Sequence, residues 1–77
     1  MDMRRLVGQN VKRIRLEKKL TQEQFSNISG FSQQYLSGLE SGRRNPTVVT
    51  LYEIAKALGV SHLDLLEPLT SRQKRGS

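Results

Sequence analysis

The sequence predicts an all-α domain, a compact bundle of five short helices, in 77 residues. Three observations lead there. Apolar side chains recur at the three- and four-residue spacing of amphipathic helices. Residues suited to helix N-caps (Asp2, Thr21, Ser32, Thr47 and Ser61) stand directly before each of those stretches. The chain has no cysteine, so neither disulfides nor thiolate metal sites are available. An apolar core must therefore hold the domain, and this length is near the lower size at which one does so without staples.

The first helix is expected over residues 3–18, capped by Asp2, with Leu6, Val7, Val11 and Ile14 as its inward stripe and Lys12, Arg13 and Lys19 outside. The second begins at Thr21, whose hydroxyl can accept the Gln24 amide while the Gln24 side chain reaches back. Phe25 and Ile28 are its apolar positions, and Ser26 is small enough to let another helix pass closely. Gly30 can take the positive φ of a sharp turn. Ser32 then caps a third helix, which Gly42 is placed to end. Two capped helices of about eight to ten residues at this spacing match a helix-turn-helix.

A loop follows, Arg43, Arg44, Asn45 and Pro46, and Thr47 caps a fourth helix running to about Leu58. Leu51, Ile54, Ala55 and Leu58 have the spacing of a buried face, and Gly59 closes the helix. Ser61 and Asp64 form a second capping box for a short fifth helix over residues 62–66, which Pro68 stops. The helical domain is thus expected over residues 1–69. The remaining eight, TSRQKRGS, read as a disordered basic tail over residues 70–77.

Thirteen Lys and Arg against seven Asp and Glu give a formal charge of +6, unevenly spread. Residues 1–20 carry +5 and residues 70–77 carry +3, whereas residues 21–42 carry −2. On a helical wheel, the third helix turns Leu36 and Leu39 inward, puts Tyr35 and Glu40 on the flanks, and directs Gln34, Ser37, Gly38 and Ser41 outward. Gln33 sits at its exposed start. That outer face carries no charge, which suits reading base edges in a DNA major groove, since an amide can pair bidentately with adenine. Cations elsewhere would hold phosphates. Gly38 weakens the helix by about 1 kcal/mol relative to Ala, and its expected use is to let a backbone or a thymine methyl come close. A solvated polar face is the competing reading, both for the glutamines and for the basic first helix.

Other classes fit less well. His62 is the only histidine, so no serine, histidine and carboxylate set can be built without it, and the seven acids show no metal-ligand spacing. The chain does not read as an enzyme, and neither a metal nor a cofactor is expected. No apolar run approaches a membrane span and no signal-peptide stretch is present, so a cytoplasmic, nucleoid-associated protein with no membrane partner is expected. An RNA binder drawn by the basic residues is weakened by the small aromatic complement, two Phe and two Tyr.

The stretch VKRIRLEKKLTQEQFSNISGFSQQYLSGLESGRRNPTVVTLYEIAKALGV resembles the lambda-repressor-like, or XRE-type, helix-turn-helix family, over about residues 6 to 66. YLSGLESGRRNPTVVTL is particularly similar to the controller proteins of restriction-modification systems. The resemblance implies a transcriptional regulator that binds a pseudo-palindromic double-stranded DNA operator as a homodimer, with the third helix in the major groove. It places Gln33, Gln34, Ser37 and Gly38 at the bases, and Gln22, Ser32, Tyr35, Ser41, Arg43, Arg44, Asn45 and Thr47 along the DNA backbone. Arg15 and Glu40 match positions that form a partly buried ion pair in some members. Lys19 stands where Gly or Asn often ends the first helix, which implies a positive φ there or a different turn. Ile28 and Val49 occupy positions that are usually polar.

Dimerisation would follow from need, because one short helix reads too few base pairs for selectivity. Leu63, Leu65, Leu66 and Leu69 are the expected interface, being more apolar side chains than one short helix can bury, with folding back onto the bundle as the alternative. Regulation would then be repression by occluding a promoter or activation by touching RNA polymerase. The competing function on the same fold is an antitoxin-like or coactivator-like protein-interaction module, with a toxin as a possible partner.

Overall fold

Asp2 opens the first helix as its pattern predicts: its carboxylate accepts the Arg4 amide at 3.1 Å, and helix α1 runs Met3–Glu17. The computed structural model describes residues 2–68, so Leu69 and the expected tail 70–77 lie outside the described residues. Helix α2 (Gln22–Ser29) begins in the reciprocal capping box of Thr21 and Gln24, and ends at Gly30 with φ 83°. Helix α3 (Gln33–Glu40) is capped by Ser32, and α4 (Val48–Leu58) by Thr47. The expected fifth helix is instead a 3-10 turn, His62–Leu65. Between its cap Ser61 and Pro68 the segment is too short for α-helical bonds to repeat, and the amides of Asp64 and Leu66 reach back three residues, to Ser61 and Leu63.

Between α1 and α2 the chain turns through Lys19, whose φ of 60° is left-handed, the first of the two outcomes that the family resemblance leaves open there. Arg13, expected outside, is only partly exposed: it pairs with Glu17 at 3.0 Å and donates to the Asn10 side chain at 3.3 Å.

The inward stripes meet as expected. Val7, Val11 and Ile14 of α1, Phe25 of α2, Leu36 and Leu39 of α3, and Ile54, Ala55 and Leu58 of α4 form one core, which Leu65 completes. Helix α1 packs on α3 and on the 3-10 turn, while α2 packs on α3 and α4. Contact between α1 and α3 is close enough that a Cβ on Gly8 would overlap the carbonyl oxygens of Leu39 and Glu40. Asn10 is a buried polar group that bridges the bundle. The Asn10 amide donates to the Leu65 carbonyl at 2.9 Å and the Glu67 carbonyl at 2.8 Å, satisfying acceptors that would otherwise be lost from water. Among the described residues, no helix is long and apolar enough to cross a membrane.

Candidate nucleic-acid interface

Ser32 sets the start of α3, its hydroxyl accepting the Tyr35 amide at 3.0 Å, and so places Gln33 and Gln34 in the first turn. Both are exposed, and neither side chain has a hydrogen-bond partner among the described residues. Leu36 and Leu39 fix the rotation of the helix by filling the core, which leaves Ser37 outside. The turn before α3 is tightened by the Ser26 hydroxyl, which donates to the Phe31 carbonyl. Unbonded amides at the start of α3 add partial positive charge beside the glutamines.

In the free chain Gly38 has a neighbour of its own. The Arg44 side chain of this same chain lies against it, and a Cβ built there would stand 3.1 Å from Arg44 Nε and 3.2 Å from its Cγ. The guanidinium carbon sits 5.4 Å from the centre of the Tyr35 ring, within cation–π range. Tyr35 is itself stacked on Phe31, centroids 5.3 Å apart and planes inclined by 23°. Burial pushes the Tyr35 phenol above its ordinary pKa while the Arg44 charge acts in the opposite sense, so a neutral ring faces the cation at neutral pH. Gln34, Ser37, Gly38, Arg43 and Arg44 line one open hollow of about 360 Å³. The side chains of Arg43 and Arg44 are exposed and form no ion pair among the described residues.

The other residues expected along a DNA backbone divide by what already engages them. Asn45 and Thr47 are exposed, Thr47 also capping α4 by accepting the Thr50 amide at 3.1 Å. Ser32 keeps its hydroxyl proton after accepting from Tyr35. Ser41 does not: its one hydroxyl proton goes to the carbonyls of Ser37 and Gly38, 2.9 and 3.2 Å away, so in this geometry it seals the end of α3 and has no donor for a phosphate. Gln22 is half-buried, and its amide nitrogen donates to Glu40 at 3.1 Å, a tie that the sequence reading missed.

Arg15 and Glu40 form the ion pair implied by the resemblance. Arg15 Nε and Nη2 reach the two Glu40 oxygens at 2.6 and 3.1 Å, and Nη1 donates to the Leu20 carbonyl at 2.8 Å. The side chains are only 9% and 4% exposed. This pair sets α3 against α1 and is not part of the outer face.

Of the four leucines expected at a dimer interface, Leu65 is corrected outright: it is fully buried in the domain's own core, because the tight 3-10 turn rolls it inward. Leu66 is half-buried against the same core, and Leu69 lies outside the described residues. Leu63 is 59% exposed. Near it, the His62 ring lies 6.4 Å from Tyr52 of α4, whose exposed apolar neighbours are Val48 and Val49.

This arrangement, two short capped helices joined by a glycine turn with the second presenting an uncharged outer face, matches the profile of the helix-turn-helix family HTH_3 over residues 11–65. The chain belongs to this family. An uncharacterised HTH-type transcriptional regulator of Sinorhizobium fredii is 69% identical over 68 residues, covering 88% of each chain. Among solved structures, a hypothetical transcription factor from Neisseria superposes with a TM-score of 0.88 at 32% identity, covering 95% of this chain and 84% of that one. The restriction-modification controller protein C.Esp1396I, solved as a tetramer in complex with its natural 35 base-pair operator, gives 0.80 at 37% identity, covering 92% of this chain and 93% of that one. The family match runs from the middle of α1 to the 3-10 turn, so all four α helices and the whole outer face of α3 fall within it or pack on it.

Proposed function

We propose that the protein is a sequence-specific double-stranded DNA-binding transcriptional regulator, which binds a pseudo-palindromic operator as a dimer with α3 in the major groove. One observation carries this reading. Gln33 and Gln34 stand exposed at the start of α3 with no side-chain partner among the described residues, and Gln34 shares a hollow with Arg43 and Arg44, which form no ion pair among those residues. Amides read base edges, and cations with helix N-termini hold phosphates. Gln33, Gln34 and Ser37 face the bases, and Arg43, Asn45, Thr47, Ser32 and the second amide hydrogen of Gln22 lie along the backbone. The C.Esp1396I complex on its operator supports DNA as the ligand.

The second protomer docks on the exposed apolar side chains Val48 and Tyr52 of α4 and Leu63 of the 3-10 turn, and two-fold symmetry sets half-site centres about 34 Å apart or a multiple of that. Sedimentation of the full chain should resolve a monomer–dimer equilibrium. A monomer at high concentration that also remains one per operator would overturn the dimer.

Selection of bound duplexes from random DNA, followed by titration of the enriched site, tests the reading of α3. Gln34→Ala should relax preference at one base pair by about 1 to 3 kcal/mol. Arg43→Ala should weaken binding to every sequence alike. If each protomer neutralises about four phosphates, log K falls against log salt with a slope near −7 for the dimer, at roughly 0.9 per phosphate, and Arg43→Ala flattens it by about one per protomer. Identical behaviour of the two variants on specific and random DNA would refute the division between base reading and phosphate binding.

A further inference from the structure

We infer that Arg44 is a specificity-determining residue that reads a guanine edge, in the place where α3 itself offers no side chain at Gly38. The inference rests on the DNA-binding reading above and revises the backbone role that the resemblance gives this arginine. Gly38 occupies an outward position on α3, where a side chain would point into the groove, and the Arg44 stem lies against its bare Cα face. The guanidinium is held over the Tyr35 ring, which is stacked in turn on Phe31. A phosphate contact needs only charge and reach. It gains nothing from a glycine under the stem or a ring under the head.

Both features confine where the guanidinium can lie, and placement matters for bidentate pairing with guanine O6 and N7. Holding the side chain there before binding also removes rotamer freedom that would otherwise be lost on the DNA. Arg44 lines the same hollow as Gln34 and Ser37, so its base pair adjoins the one that Gln34 reads. The half-site should therefore place a guanine next to the position that responds to Gln34→Ala. Gly38 accounts for the arrangement from the other side. A Cβ there would stand 3.1 to 3.2 Å from Arg44 Nε and Cγ, so the arginine would have to shift by a few tenths of an ångström.

The test is Arg44→Lys, which keeps the charge and changes an exposed residue, so folding is checked simply by an unchanged melting temperature. Full-length wild type and variant are titrated against the selected operator and each of its single-base-pair changes. The expected result is loss of discrimination at one guanine by about 10-fold or more, with the salt slope unchanged. Gly38→Ala should erode preference at that same base pair, and adding it to Arg44→Lys should have little further effect. Retention by Arg44→Lys of every base preference would overturn the inference while leaving the reading of α3 intact. If wild type enriches no duplex sequence at all, both fail together.

Discussion

Glu40→Ala should destabilise the domain by about 3 to 5 kcal/mol, the range found when one partner of a buried ion pair is removed. The substitution leaves the Arg15 guanidinium enclosed, with the Leu20 carbonyl as its remaining partner, and releases Gln22 as well. A domain of this length has a total stability of about 4 to 12 kcal/mol, so much of it would go. Urea unfolding followed by circular dichroism measures the effect. The pair as a unit is another matter, because two desolvated charges offset much of their own attraction. Arg15→Met combined with Glu40→Leu should recover most of the loss. A single-variant effect below about 1 kcal/mol would mean that the pair is solvated in solution.

Gly8→Ala is the second large effect, expected to lower stability by about 2 kcal/mol despite putting a better helix former in mid-helix. Ala returns roughly 1 kcal/mol of helix propensity. Against that, its Cβ would meet two carbonyl oxygens of α3, which are backbone atoms and cannot swing aside, so the overpacking penalty falls near the upper end of its range, about 3 kcal/mol. For a domain of this size the net loss lowers the melting temperature by about 10 °C. Gly30→Ala is the control. It has open space around it and a φ of 83°, so it carries only the left-handed strain of about 1 kcal/mol. Equal effects at the two glycines would show that the separation of α1 and α3 is not set at Gly8.

What could be read from the chain and what could not follow from the range of the interactions involved. Caps act within three residues, and Asp2, Thr21, Ser32, Thr47 and Ser61 all cap the elements expected of them. The stripe Val7, Val11 and Ile14 was equally legible, because helical period alone decides it. Leu63 and Leu65 were not separable, since a four-residue 3-10 turn is too short to establish a period. Asn10 was silent for a different reason: it is polar on a polar helix, and its partners lie 55 and 57 residues further on. Arg44 takes its expected place along the DNA backbone from the family resemblance alone. Its position against Tyr35 and Gly38 depends on contacts across the turn, and the trace of it in the sequence is the helix-interior Gly38, whose bare face reads there as room for DNA.

The Asn10 amide joins the beginning of the domain to its end, and this governs how the molecule comes apart. Were the 3-10 turn to peel away alone, Leu65 would leave the core and the Asn10 amide would exchange both of its bonds for bonds to water. Fraying from the carboxyl side is therefore opposed by one buried side chain and two hydrogen bonds to α1. A protease that needs that side opened must first draw Leu65 out of the core and break both Asn10 bonds.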